Sequence, residues 1–149
     1  MRFLATTVVI SSLLLTCAYA SAWRLDDSST ALAALQAKAD QAQPRDRCFL
    51  YAELVSQMTD LAGQQFNSGD SAQASETLKL VQRYAEKIHT GVADDSKKLK
   101  DAELLLQRTS FRLQDILSEA SYEDRQALET TLEQLNQVQT ELMTQVFKK

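Results

Sequence analysis

One histidine and two cysteines are the residues of this chain whose side chains most readily perform chemistry. His89 follows Glu86 by three positions, so a helix would place a carboxylate and an imidazole one turn apart. Di-iron sites in helical bundles use that spacing, but they need two such pairs and two further glutamates. We therefore predict no metal site, name Glu86 and His89 as the candidates for one, and expect His89 to be exposed near a helix end.

The two cysteines lie in different contexts. Cys48 stands two residues before Leu50 in the most apolar helical segment, which favours burial because cysteine is often buried. A free thiol for redox chemistry or for an intermolecular disulfide is the alternative. Cys17 resembles the cysteine of the lipoprotein processing box, although Thr16 stands where that box carries Gly, Ala or Ser. Lipidation at Cys17 is therefore an alternative to ordinary cleavage downstream.

No pattern of a nucleophile, a general base or a cofactor motif occurs in the sequence. Aspartate and glutamate are too numerous for any two to stand out as a catalytic pair. We therefore predict a protein that is not an enzyme and binds no cofactor. The basic cluster at Lys97, Lys98 and Lys100 is interpreted as the solvated start of a helix.

Residues 1–20 have the features of a signal peptide. Arg2 gives a basic start, and residues 3–15 form an uncharged, mostly apolar run. Small residues at alternate positions then allow cleavage before Ser21 or before Trp23. We predict an exported protein of the periplasm or the extracellular space. A membrane anchor formed by an uncleaved segment is the alternative, which the hydroxyl side chains disfavour because a span needs about 18 apolar residues or more.

The charge of the chain argues against nucleic acid as a partner. Removing Arg2 with the signal peptide leaves 15 basic and 20 acidic residues, a net charge of −5. Phosphate binding needs a concentrated positive surface, and binding to anionic lipid needs a basic helix face. We therefore predict no stable membrane insertion after cleavage. With one cysteine left, residues 21–149 form a single helical domain that depends on core packing.

The composition favours an all-α fold, because glycine and proline are scarce and strong helix formers dominate. We predict an up-down antiparallel bundle of four long helices plus a short N-terminal helix. The short helix starts at the cap residues 26–29 and ends before Pro44. The second helix runs from Pro44 to Ser68 and is apolar on more than one face, which places it at the centre of the domain.

Each of the three remaining helices carries an apolar seam with a repeat near 3.5 residues, which favours packing at about +20°. The predicted helix starts are Asp70 or Ser71 after a turn at Gly69, Asp94 with Asp95, and Ser121 with Asp124 in a capping box. The seams consist of Ala74, Leu78, Val81, Ala85, Ile88 and Val92, then Leu99, Ala102, Leu106, Thr109, Leu113, Ile116 and Ala120, then Leu128, Thr131, Leu135, Val138 and Leu142.

The hairpin at residues 61–81 resembles a tetratricopeptide repeat in the spacing of its small and large residues. The residues at the family's intervals are Ala62, Gly69, Ala74, Leu78 and Val81. The hairpin departs from the family at Gln65 and Ser71, where an aromatic residue is usual, and at Val81, where a small residue is usual. No second copy follows in the sequence. The resemblance implies a helical hairpin that presents a face to a partner protein.

Residues 121–126 are similar to the helix starts of small envelope chaperones, which pair a hydroxyl cap with Glu, Gln and Arg. Export, long amphipathic seams and missing catalytic chemistry favour a non-enzymatic protein-interaction or envelope-associated module. Its partner would be another protein, or a second copy held through the helix seams. The alternatives are a small-ligand or metal-binding bundle and a tetratricopeptide-like or chaperone-like adaptor.

Overall fold

The computed structural model describes residues 22–92 and 97–148, and every regular element in those two ranges is a helix. The predicted all-α bundle of four long helices preceded by a further helix is confirmed. The chain divides after Ala31 into two units, and the second unit, residues 32–149, contains the bundle. The helices are α1 (Ala22–Gln41), α2 (Pro44–Asn67), α3 (Ser71–Gly91), α4 (Leu99–Glu119) and α5 (Tyr122–Phe147).

Helices α2 to α5 form two antiparallel hairpins that are stacked in the same orientation. Helix α2 packs on α3 and α4, and α5 packs on α3 and α4. At one end of the bundle the backbone amide of Lys97 donates to the carbonyl of Arg45 at 2.8 Å. Towards the other end, Arg112 lies 3.6 Å from Asp60. Helices α2 and α4 therefore run parallel.

Helices α3 and α5 are parallel for a similar reason. The hydroxyl of Ser71, at the start of α3, donates to the carboxylate of Asp124 near the start of α5 at 3.1 Å. Farther along, the side-chain amide of Gln82 donates to the hydroxyl of Thr131 at 2.7 Å. Each helix of the first hairpin thus lies along its counterpart in the second.

Helix α2 is the most enclosed element, as its two apolar sides predicted. It begins with Pro44 in its first turn, where the missing amide costs no hydrogen bond. Its buried residues cover more than half of its circumference, and they pack against α3 and α4. Leu32, Leu35 and Ala39 of α1 also belong to or pack against the core cluster.

The three predicted seams form the core of the other helices. Every seam residue is buried except Val92 and Ala120, which are half-buried and pack against the core. Two seam positions are occupied by the polar residues Thr109 and Thr131. Burial of these side chains is tolerated because each hydroxyl donates to the carbonyl four residues earlier, at 2.8 Å and 2.7 Å, so neither polar group is left unpaired.

The turn and two helix starts confirm the local signals in the sequence. Gly69 adopts a φ of +82°, a left-handed conformation that glycine tolerates best. The side chain of Asp70 caps α3 by accepting from the amide of Gln73. Ser121 caps α5 by accepting from the amide of Asp124, as predicted. The carboxylate of Asp124, however, accepts from the hydroxyl of Ser121 at 2.6 Å, as well as from that of Ser71.

Two predicted helix starts are wrong. Helix α1 is 20 residues long rather than short, because it begins at Ala22 and continues through residues 26–29. Aspartate and serine cost only a few tenths of a kcal/mol in a helix, so they do not stop one by themselves. Helix α4 begins at Leu99, after Lys98 in a left-handed conformation with a φ of +56°. The predicted caps Asp94 and Asp95 lie outside the described residues.

A close contact between the two hairpins gives a test of their stacking. A Cβ atom at Gly63 of α2 would lie 2.9 Å from the terminal methyl of Ile116 on α4. We expect Gly63→Leu to lower the free energy of unfolding by about 1–3 kcal/mol, because the added side chain must push α4 away. Gly91→Leu, at a position with open space, should change it by less than about 1 kcal/mol. Equal effects in urea titrations would contradict the stacked arrangement.

Candidate functional site

His89 lies in the last turn of α3 and contacts a residue from α5. Its Nδ1 atom pairs with a carboxylate oxygen of Glu141, and both side chains are partly exposed. This contact raises the pKa of His89 above its ordinary value of 6.5, and the nearby Glu86 adds a smaller effect in the same direction. The same contact lowers the pKa of Glu141. The pair joins the two hairpins at the end where α3 and α5 terminate.

Both candidate metal ligands are exposed on α3, and His89 lies near the end of the helix as expected. Glu86 is one turn before His89, and the second carboxylate near the histidine belongs to Glu141 of α5. Among residues 22–92 and 97–148, no three His, Cys, Asp or Glu side chains converge on a point that would hold a metal ion. In the described part of the chain, His89 forms a polar contact between α3 and α5.

Cys48 is buried, which decides between the two interpretations left open by the sequence. Its side chain is 1% exposed within the core cluster. Burial raises the pKa of its thiol to about 11, so the reactive thiolate is scarce at neutral pH. Cys17, with the predicted signal peptide at residues 1–20, lies outside the described residues.

The basic cluster is exposed at the start of α4, as expected, and two of its members, Lys97 and Lys98, also line a cleft. The cleft has a volume of about 550 Å³ and lies between the end of α1, the first turns of α2 and the turn before α4. Lys98 holds its ammonium group 4.6 Å from the centre of the Phe49 ring. Lys97 lies 3.8 Å from Asp46. The cleft thus combines an aromatic wall with lysines and carboxylates, and its further lining includes Lys38, Leu50 and Glu53.

The side of the α2–α3 hairpin near α1 is closed by polar and aromatic contacts. The rings of Tyr51 and Tyr84 lie 5.7 Å apart. Lys87 holds its ammonium group about 5 Å from both ring centres and 3.5 Å from the carboxylate of Asp40 in α1. Burial and the nearby Asp40 raise the pKa of Tyr84. Together with Leu32, Leu35 and Ala39, these contacts attach residues 32–41 of α1 to the first hairpin.

The α4–α5 hairpin, in contrast, displays apolar side chains to solvent. Five of the six exposed large hydrophobic residues in the described ranges lie on it, and Phe111 is 58% exposed. On α5, Gln134 and Glu141 contact α3. Leu132 is two positions from Gln134, and Met143 is two positions from Glu141. Each therefore lies about 200° around the helix from the residue that contacts α3. We define the outer face as four exposed residues, Leu104, Phe111, Met143 and Phe147, together with Leu132, which is half-buried and also packs against the core.

The sequence patterns did not single out this outer face. Leu104 and Phe111 stand seven residues apart off the α4 seam, and Met143 and Phe147 stand four apart off the α5 seam. Those intervals place each pair on one side of its helix. A search for apolar pairs outside the seams would have found them. Single exposed apolar residues are common, so only their concentration on one hairpin is informative.

No family model matches this chain, and the curated proteins and solved structures contain no match to it either. Across the described residues, none of the helices combines the length and the apolar character that crossing a membrane requires.

The pair of His89 and Glu141 predicts a pH-dependent contribution to stability. Because the pKa of His89 is raised, its contribution is full below 6.5 and is lost as the pH rises through the raised value. Because the pKa of Glu141 is lowered, its contribution is full above 4.5 and is lost as the pH falls through the lowered value. The pair should therefore stabilise the fold most between these two values.

Thermal unfolding of the Glu141→Gln variant measures this dependence. We expect its Tm to fall below that of the unchanged protein at about pH 5.5, and we expect this difference to shrink towards about pH 9 as the pH rises through the raised pKa of His89. Glu133→Gln, on an exposed position of the same helix, controls for the loss of one charge. A Tm difference that is equal at both pH values would contradict the role of the pair.

Proposed function

We propose that this protein is a non-enzymatic interaction module, exported by its N-terminal segment, that binds a partner protein through the outer face of the α4–α5 hairpin. The observation that carries the proposal is the uneven distribution of exposed apolar residues, which lie almost entirely on α4 and α5 within the described ranges. Exposed apolar clusters of this kind mark interaction surfaces in soluble proteins. Export remains an inference from residues 1–20, and it would place the partner in the cell envelope or outside the cell.

The construction of the bundle supports the choice of this face. The first hairpin has its apolar surface covered by residues 32–41 of α1, whereas the outer face of the second hairpin stays open. Stacked helical hairpins normally end in a polar face, because the terminal unit has no neighbour. An apolar terminal face therefore favours a function in which another helix is placed on it.

Photo-crosslinking in the cells that produce the protein tests the proposal. A photo-reactive phenylalanine analogue at position 111 should give one discrete adduct with a protein, because Phe111 is 58% exposed near the middle of α4. The same analogue at Arg83, exposed on α3, is the control. Adding Leu104→Glu should remove the adduct from position 111. Adducts that are absent, or that are equal at both positions, would overturn the proposal.

A small-ligand function is the second candidate, and the cleft beside Phe49 is the observation that favours it. Its volume of about 550 Å³ lies in the range of small-molecule sites, which are lined by apolar groups with a few polar ones. Three lysines at its edge and the Phe49 ring suit a ligand with an acidic group and an apolar body. Asp46 and Glu53 would oppose a ligand of high negative charge.

Titration with an alkyl carboxylate such as octanoate, followed by NMR, tests this candidate. We expect chemical-shift changes at Phe49 and Leu50, and we expect Lys98→Glu to weaken binding by about tenfold, because repulsion replaces attraction at the acidic group. Lys79→Glu, on an exposed position of α3 away from the cleft, should leave binding unchanged. Shift changes that are absent or spread over the whole bundle would exclude the cleft as a site for this class of ligand.

A further inference from the structure

The outer face differs in charge from the rest of the molecule. The chain as a whole carries a net charge of −4. Helical spacing places three basic residues, Lys100, Arg108 and Arg125, on the same side as the apolar residues of the outer face, together with three acidic ones, Asp115, Glu129 and Glu133. Three positive and three negative charges leave this face neutral. An acidic protein repels a copy of itself, and a neutral face is where two copies can approach each other.

The register of α4 and α5 favours a two-fold arrangement. The side-chain amide of Gln139 donates to Glu103 at 3.1 Å, which puts these two residues at the same level of the antiparallel hairpin. Phe111 lies eight residues beyond Glu103, and residue 131 lies eight before Gln139, so Phe111 and Leu132 share a level. Rotation about a two-fold axis parallel to the helices leaves the height of each residue along the helices unchanged. It would therefore place Phe111 of each copy against Leu132 of the other copy.

The available area is sufficient for a reversible dimer. Helix α4 has 21 residues and is therefore about 30 Å long. Two helices about 10 Å apart present a face of roughly 600 Å² per copy. The total of about 1,200 Å² is at the lower end of specific interfaces, where weak and transient complexes are found.

We propose that the outer face binds a second copy of this chain in a two-fold dimer, with α4 of each copy against α5 of the other. This inference rests on the proposed function, because it names the partner of the same face. Phe111 meets the half-buried Leu132 in each of the two paired contacts, and Leu104 and Met143 lie together nearer the start of α4.

Sedimentation velocity of the full chain tests the proposal over protein concentrations from about 5 μM to about 500 μM. We expect a reversible shift from monomer to dimer in this range. Leu104→Glu should shift the midpoint to at least tenfold higher concentration, and so should Phe111→Glu. Leu80→Glu on α3 is a matched control, because Leu80 and Leu104 are 36% and 39% exposed. It should leave the midpoint unchanged.

The outcomes separate this inference from the proposed function. Circular dichroism of each variant confirms that the exposed substitutions leave the helices intact. A monomer at every concentration overturns the dimer, and so does a midpoint that shifts equally for Leu104→Glu and Leu80→Glu. If the protein is monomeric and position 111 crosslinks to a different protein in cells, the dimer is wrong and the proposed function stands. A dimer that forms without any adduct at position 111 places the interface elsewhere and overturns the inference.

Discussion

The burial of α2 on more than one side is the constraint on which the rest of this structure depends. Leu50, Val55 and Gly63 are buried on that helix and span more than half of its circumference, so no single neighbour could cover them all. Helix α3 covers one side because the tight turn at Gly69 returns the chain along α2. Helix α4 covers another, and its close approach is possible because Gly63 has no side chain. The positions of α3 and α4 then determine where α5 can lie.

Much of this architecture could be predicted from the sequence, because seams and caps are local signals. A repeat near 3.5 residues identified which residues of α3, α4 and α5 are buried, and Asp70 and Ser121 marked two helix starts. The parallel pairing of α2 with α4 could not be predicted. A seam shows which side of a helix is covered but does not name the covering helix, and the contact between Gly63 and Ile116 joins residues far apart in the chain.

The polar sites show the same limit. The burial of Cys48 followed from its apolar neighbours, whereas the partner of His89 did not follow from Glu86 one turn away. Glu141 lies 52 residues further along, and it meets His89 only because α3 and α5 are parallel and in register. The cleft beside Phe49 likewise requires three separate segments to meet, and two of its lysines looked like ordinary surface charges in the sequence.

The core and the outer face lie on different sides of the same helices. On α4, Leu106 and Leu113 fill the core, while Leu104 and Phe111 point away from it. A substitution at a seam position creates a cavity and destabilises the fold, whereas one on the outer face changes the surface with little effect on packing. Cys48 provides no disulfide within the described core, so packing along the seams must stabilise the bundle. That separation allows the outer face to change without loss of the fold that positions it.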